Sequence, residues 1–218
     1  MGSGTRPSHL ERWLGLPVDV VTWASPEYRL TVNFARASDG GADASAPGLR
    51  LDAYRLGWLI ALAALLSVYH LLPRGSTALV VTFAALAGAR VLEITAVGLR
   101  LFLIPREQDA FAMVRAERST AVAFVNLVAM TLAFAVLFLC SGEVEHGTTP
   151  ITDGLHAAFF SFSTITTLGY SGHQATGPIA MSLVILELIC GFLLLIGLIP
   201  MLINHVKLRD DERPRAER

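Results

Sequence analysis

The chain has 218 residues, of which 53% are hydrophobic and only 16% are charged, and its mean hydropathy is +0.55. This composition is too apolar for a water-soluble domain and indicates a membrane protein, which excludes a disordered chain and a large catalytic domain. The net charge of −1, without a basic stripe interleaved with aromatic residues, indicates no nucleic-acid partner. We identify no small-molecule substrate.

The amino-terminal segment, 1–50, carries much of the charge together with Trp13 and Trp23. Tryptophan side chains anchor interfacial helices at a membrane surface. The segment is therefore either an interfacial helix on the inner leaflet or a loosely ordered tail. No apolar core with a cleavage site precedes Leu51, so we expect no signal peptide.

Four apolar stretches have the length of about 17–25 residues that a helix needs to cross a bilayer. They are Leu56–Leu72, Thr77–Ile104, Ser119–Cys140 and Ile179–Ile203. The chain thus divides into four parts. Residues 1–50 form an amino-terminal segment, and residues 51–118 hold two peripheral helices with an interfacial linker. Residues 119–206 hold a second pair of spans with its connecting loop, and residues 207–218 form a short tail.

The basic residues fix the predicted orientation, because lysine and arginine are retained on the cytoplasmic side. They cluster before the first span, between the second and third spans, and after the fourth. The connection Ser141–Gly154 instead carries Glu143, Glu145 and Asp153 and no basic residue, so it is predicted to lie outside, with both termini cytoplasmic. Of the 17 lysine and arginine residues only Lys207 is a lysine, a bias typical of GC-rich genomes, so we expect a bacterial inner membrane.

The segment 152–173 is too short for a fifth span and too apolar for an ordinary loop. Thr152 or Asp153 can cap a helix that runs to about Thr164. The residues that follow are rich in hydroxyl groups and glycine. A half-length helix followed by extended backbone predicts a re-entrant loop, and such backbone is tolerated at membrane depth only inside protein or beside water. The segment therefore predicts a pore or a binding cavity.

The composition of this segment suits a dehydrated monovalent cation, which needs fixed oxygens in place of its lost water. Backbone carbonyls can supply them where glycine permits unusual dihedral angles, and Thr167 adds a hydroxyl. The preceding helix would direct its carboxyl end, with about half a negative charge, at the cavity below. Tyr170 can brace the strand against aromatic side chains, namely Phe159, Phe160 and Phe162.

The run Thr166-Thr-Leu-Gly-Tyr-Ser-Gly172, preceded by Phe-Phe-Ser-Phe, resembles the filter of the potassium-channel pore family, commonly Thr-Thr-Val-Gly-Tyr-Gly-Asp. The resemblance covers about Ser119–Val206 and implies an outer helix, a pore helix, an extended filter and an inner helix. It implies five ion-binding residues: Thr167, Leu168, Gly169, Tyr170 and Ser171. It implies that a second set supports the filter: Phe159, Phe160, Phe162, Ser163, Thr166 and Gly172.

The resemblance also assigns roles in the last span. Gly191 lies where the family has the hinge glycine of its inner helix, and Pro200 is a second point of bending. Phe192, Leu195 and Ile199 would face the cavity. The family closes its ring of carbonyls with four chains. The resemblance thus implies an all-α membrane protein that assembles as a homotetramer in the lipid bilayer, with K⁺ as the permeant ion and no other cofactor or metal.

Two positions depart from the family pattern. Ser171 replaces the second filter glycine, and a left-handed non-glycine residue costs about 1–2 kcal/mol. Ser163 replaces the pore-helix acid of some members. The resemblance thus implies a tetrameric potassium-selective channel that conducts passively, without a covalent step, so we expect a protein that is not an enzyme. The alternatives are a weakly selective monovalent cation channel, or a non-conducting membrane adaptor that keeps a degenerate filter as a packing motif.

Three ionisable residues lie inside predicted spans. Arg90 and Glu93 are three residues apart on one helix face, which predicts a structural ion pair that locks the peripheral helices rather than a voltage sensor. Glu187 is expected either to form a hydrogen bond behind the pore helix, with Ser163 or Thr164, or to present a negative charge to ions.

The outer connection carries acidic residues and histidines. Repeated around an assembly, Glu143, Glu145 and Asp153 would raise the local concentration of cations. His156 and His173 are interpreted as isolated histidines. His173, at the predicted outer mouth, either tunes the pore with pH or is a solvated loop residue.

Overall fold

The computed structural model describes residues 25–39, 45–71, 76–103, 116–169 and 172–211. Trp13 and Trp23, the predicted interfacial anchors, lie outside these ranges. The described residues are mostly helical, with three short strands and one 3-10 turn, Tyr69–Leu71. The elements in chain order are α1 (Pro26–Asp39), α2 (Ser45–Val68), α3 (Thr77–Leu103), α4 (Ala116–Ser141), β1 (Val144–His146), β2 (Thr149–Pro150), α5 (Gly154–Ile165), β3 (His173–Ala175) and α6 (Pro178–Asp211).

Within the described ranges, four helical stretches are long and apolar enough to cross a membrane, which matches the predicted number of spans and indicates a multi-pass membrane protein. The first span begins before the predicted Leu56, because Arg55 is paired with Glu27 inside the protein and does not interrupt the helix. The four stretches are Gly48–Leu71, Thr77–Leu99, Ala121–Ser141 and Pro178–Ile196.

Helix α4 lies at the centre of the molecule and packs against α2, α3, α5 and α6. Its middle turns supply the core, in which Met130, Ala133, Phe134 and Phe138 are buried. Half of the α4 span (50%) is buried, compared with 22% of the α6 span. Within Pro178–Ile196, the described part of this span, α6 therefore leaves most of its apolar surface available to lipid or to another chain.

A small antiparallel sheet with the strand order β2-β1-β3 joins the end of α4 to the start of α6. Glu145 of β1 lies opposite Pro150 on one side and Gln174 on the other. The all-α prediction is incomplete here, because strands of two or three residues leave no periodic pattern in a sequence. The sheet brings the two ends of the intervening segment to one end of the molecule.

Candidate functional site

Helix α5 begins as the sequence predicted. Asp153 is the cap residue: its backbone is extended, and its carboxylate accepts a hydrogen bond of 2.9 Å from the backbone N–H of His156. The helix runs from Gly154 to Ile165, close to the predicted end at Thr164. The predicted half-length helix is therefore confirmed.

The carboxyl end of α5 closes in a Schellman motif. The Leu168 N–H donates to the Ser163 carbonyl and the Thr167 N–H donates to the Thr164 carbonyl, each at 2.9 Å. Thr167 occupies the left-handed position with φ 56°. Glycine usually occupies this position, because a β-branched residue with positive φ is strained. Strain of this kind concentrates at functional sites, and here it falls on the first predicted filter residue.

The backbone beyond Thr167 is neither helix nor strand. Gly169 has φ 59°, and the Leu168 side chain is 70% exposed. Tyr170 and Ser171, two of the predicted ion-binding residues, lie outside the described residues. The chain resumes at Gly172 with φ 135° and continues into β3. The predicted interruption of the helix is confirmed, and an exposed stretch of backbone follows it.

The two ends of this segment meet at the same sheet. The Ile151 N–H donates to the Val144 carbonyl at 2.9 Å before the helix begins. After the segment returns, His173 of β3 lies directly opposite His146 of β1. The chain therefore leaves the sheet at 151 and comes back to it at 173.

The middle of the segment contacts the middle of α4. The Ser161 hydroxyl donates to the Thr131 carbonyl at 2.8 Å, and Thr131 is the midpoint of the span Ala121–Ser141. Both serine and threonine are buried. Helix α5 therefore extends from the sheet to the level of the centre of a span.

Glu187 forms its hydrogen bond with Ser161, not with the predicted Ser163 or Thr164. The hydroxyls of Ser163 and Thr164 instead donate to the Phe160 carbonyl, within the helix that carries them. The expected hydrogen bond between Glu187 and the short helix α5 is thus confirmed, whereas the predicted partner was wrong by two or three positions. Only the rotation of α5 about its axis decides which hydroxyl faces α6.

The aromatic residues predicted to support the filter divide between two faces of α5. Phe160 is buried, and its ring packs edge-on against Phe138 at a centroid distance of 4.8 Å. Phe159 and Phe162 are 42% and 52% exposed and share the open face with Leu155. Among the described residues, the face with Phe160 is covered more completely than the face with Phe159 and Phe162.

Gly191 lies in direct contact with the end of α5. A Cβ atom at this position would come within 2.7 Å of Ile165 Cγ1. Helix α6 continues through Gly191 without a break, and Phe192 and Leu195 are exposed, at 65% and 44%. Two other predicted residues belong to α6, and their side chains fall outside the described part of the chain: Ile199 and Pro200.

A buried cluster of charges joins the amino-terminal helix to the first two spans. The predicted ion pair between Arg90 and Glu93 is confirmed, with a distance of 2.7 Å. Arg90 also pairs with Glu27 at 2.6 Å, and Glu27 pairs with Arg55 at 2.8 Å. Two cations and two carboxylates thus balance inside the protein, as buried charges require.

Polar and aromatic groups complete this charge cluster. The hydroxyls of Ser25 and Tyr54 donate to Glu93 at 2.6 Å and 2.9 Å. The rings of Tyr54 and Trp58 each lie 5.7 Å from the Arg90 guanidinium carbon. Glu27 and Arg55 were not predicted as members of this cluster, because no local pattern in the sequence connects them to a residue of the second span.

His146, His156 and His173 form a second cluster, so the interpretation of His156 and His173 as isolated was wrong. His156 Nδ1 lies 2.9 Å from His173 Nε2, a hydrogen bond in which one ring nitrogen donates to the other. Burial lowers the pKa of His173, and the two neighbouring histidines act in the same direction, whereas Asp153 opposes them. Pairing of β1 with β3, which sequence spacing did not indicate, brings the cluster together.

Comparisons of the chain with protein-family models, with curated proteins and with solved structures find no match in any of the three. Its class is defined by the four apolar helices: a multi-pass membrane protein. Any finer functional assignment must come from the chemistry and geometry of the segment between α4 and α6.

Proposed function

We propose that this chain is one subunit of a homotetrameric channel that conducts K⁺ passively through the backbone carbonyls of 167–171. The channel lies in a bacterial inner membrane with both termini cytoplasmic. One observation carries the proposal. An apolar half-length helix begins beside the sheet and ends at the level of mid-span in strained, exposed backbone, and the chain then rejoins the same sheet.

The depth of the segment supports a re-entrant loop. Helix α5 has 12 residues and is about 18 Å long, little more than half of a bilayer core of about 30 Å. Its contact with Thr131, at the midpoint of a span, is consistent with insertion to the centre of the membrane. A chain that enters and leaves at one surface satisfies both observations.

The open backbone supports a path for water or ions. Thr166, Thr167, Leu168 and Gly169 are all exposed. Polar backbone in contact with lipid costs several kcal/mol for each unsatisfied group, so it must face water or another protein surface. Thr167 and Gly169 are both left-handed, and alternating handedness directs successive carbonyls to one side of a strand. Such an arrangement can replace the water oxygens around a cation.

Exposed apolar surfaces support assembly into an oligomer. One chain contributes one segment, and a ring of carbonyls around an axis needs several. Phe159 and Phe162 on α5 and Phe192 on α6 are exposed. Contact between subunits through these aromatic side chains would bring the segments around a common axis.

A weakly selective cation channel is the second candidate, favoured by Ser171 at the position of a filter glycine. A serine that resists the left-handed conformation would widen or distort the outermost ion site. Channels of the two kinds differ in the ratio of potassium to sodium permeability, which bi-ionic reversal potentials measure. A near-equal ratio would replace the first candidate by the second.

Flux from liposomes tests the proposal, with K⁺ and Na⁺ gradients across membranes that hold the purified protein. We expect K⁺ flux for the wild type and loss of flux or selectivity for Gly169→Ala. Gly142→Ala is the matched control. Both glycines have positive φ, 59° and 65°, and at both an added Cβ would meet nothing within 4 Å.

The two alanine variants therefore carry the same backbone strain, about 1–2 kcal/mol, and differ in their place in the chain. Flux that survives Gly169→Ala as well as it survives Gly142→Ala would refute conduction through this backbone. A correctly folded wild type that carries no flux of either ion would favour the membrane adaptor.

A further inference from the structure

We propose that His146, His156 and His173 form a binding site for a divalent transition-metal ion, with Zn²⁺ as the ion that the site suits best. The proposal depends on the arrangement of these side chains, and it does not require that the protein conducts ions. The three proposed ligands lie outside the proposed filter, 167–171.

The three histidines supply nitrogen ligands at nearly the right separations. One ring nitrogen from each lies within 4.8 Å of the others. Tetrahedral zinc with bonds of about 2.0–2.1 Å holds its ligand nitrogens about 3.3 Å apart. The 2.9 Å pair, His156 Nδ1 and His173 Nε2, needs to open by a few tenths of an ångström. His146 is exposed, and a small rotation of its side chain, by about 1.5 Å or less at the nitrogen, closes the remaining gap.

The backbone that carries these ligands belongs to regular, hydrogen-bonded elements. His146 and His173 are directly opposite each other in β1 and β3, and opposed residues of an antiparallel pair project from the same face. His156 lies in the first turn of α5, which the Asp153 cap holds in place. Ligands on strands and helices keep their geometry better than ligands on loops.

Asp153 lies next to the place of the outer partner that metal-binding histidines usually have. If His156 binds the ion through Nδ1, its other nitrogen, Nε2, lies 3.9 Å from Asp153 Oδ2, which is longer than a hydrogen bond. A shift of the side chains by about 0.7 Å would let the Nε2–H donate to the carboxylate, which would orient the ring and make it a better ligand. The exposed side of His146 leaves the fourth coordination position open to water.

The ligand set discriminates among metal ions. Imidazole nitrogens suit Zn²⁺, Ni²⁺ and Cu²⁺, whereas Mg²⁺ and Ca²⁺ require oxygen ligands. Zn²⁺ has no geometric preference from its d electrons and readily accepts three histidines with one water. The site would connect β1, β3 and the first turn of α5, and would thus hold together both limbs of the segment between α4 and α6.

Calorimetric titration of the purified full-length protein in detergent with ZnCl₂ tests the site. We expect about one Zn²⁺ per chain and no heat of binding with MgCl₂. His146→Ala and His173→Ala should each weaken binding by at least about 10–100-fold, the range that loss of an outer partner alone can cause. His70→Ala is the matched control, because His70 is an exposed histidine in the 3-10 turn and is not a member of the cluster.

Asp153→Asn tests the contribution of the outer partner to Zn²⁺ affinity without changing any of the three ligands. Asparagine caps a helix as well as aspartate does, so α5 should remain intact while affinity for Zn²⁺ falls by about 10-fold or more. Melting curves with and without ZnCl₂ provide a second measurement, since a bound ion stabilises the folded state. The wild type should melt at a higher temperature with the ion, and His146→Gln, which retains a side chain of similar size, should not.

The proposal fails if the wild type shows no saturable Zn²⁺ binding. It also fails if His146→Ala and His173→Ala bind Zn²⁺ as tightly as His70→Ala does. Either result would make the cluster a packing arrangement of three tilted rings, in which His156 and His173 share a hydrogen bond and the His146 and His173 centroids are 4.5 Å apart.

Discussion

Replacing Gly191 by alanine tests the contact between α6 and the end of α5. The added Cβ would lie 2.7 Å from Ile165 Cγ1, whereas carbon atoms in contact prefer about 3.5–4.0 Å. One of the two helices, or the Ile165 side chain, must therefore move by about 1 Å. Overpacking of this kind costs about 1–3 kcal/mol of unfolding free energy.

The expected loss can be measured as a melting temperature in lipid nanodiscs by circular dichroism. In a chain of this size each kcal/mol corresponds to about 2–4 °C, so Gly191→Ala should lower the midpoint by about 2–12 °C. Gly98→Ala is the control, because a Cβ there would meet its nearest neighbour, Leu194 Cδ2, at an ordinary 4.0 Å. That variant should melt within about 2 °C of the wild type.

A double mutant identifies the atom responsible. Ile165→Ala removes Cγ1 and by itself costs about 2–5 kcal/mol, because it leaves a cavity in the core. The alanine methyl at Gly191 would occupy part of that cavity. The double variant should therefore lose about 1–3 kcal/mol less unfolding free energy than the two single variants lose in sum. Additive losses, or a Gly191→Ala variant as stable as the wild type, would refute this account. A variant of unchanged stability whose open probability is altered would support the hinge.

Two further substitutions test the charge cluster and the strained turn. Arg90→Met leaves two buried carboxylates with one cation and should cost about 3–5 kcal/mol. The double variant Arg90→Met/Glu93→Gln restores the balance, so it should melt at a higher temperature than Arg90→Met, and an equal or lower midpoint would contradict the argument. Thr167→Gly relieves the left-handed strain, so the free energy of unfolding should stay unchanged or rise by up to about 1 kcal/mol. Liposome flux of K⁺ by this variant should fall with loss of the hydroxyl, and full flux would show that the hydroxyl has no part in conduction.

The sequence was sufficient for the features that depend on neighbouring residues. The length of each apolar run defines the four spans, and an acidic cap at Asp153 defines the start of α5. The change from aromatic residues to hydroxyls and glycine after Thr164 marks the end of that helix. The pair Arg90 and Glu93 was also predictable, because a spacing of three residues is enough to place two side chains on one helix face.

The tertiary structure alone decided the contacts between distant residues. Glu27 completes the charge cluster because α1 packs against the first two spans, and Ser161 binds Glu187 because of the rotation of α5 about its axis. His146 joins His173 through the register of two very short strands. In each case the partners are far apart in the chain, and helix rotation and strand register are set by the packing of the whole molecule, which local patterns of hydrophobicity and charge do not encode.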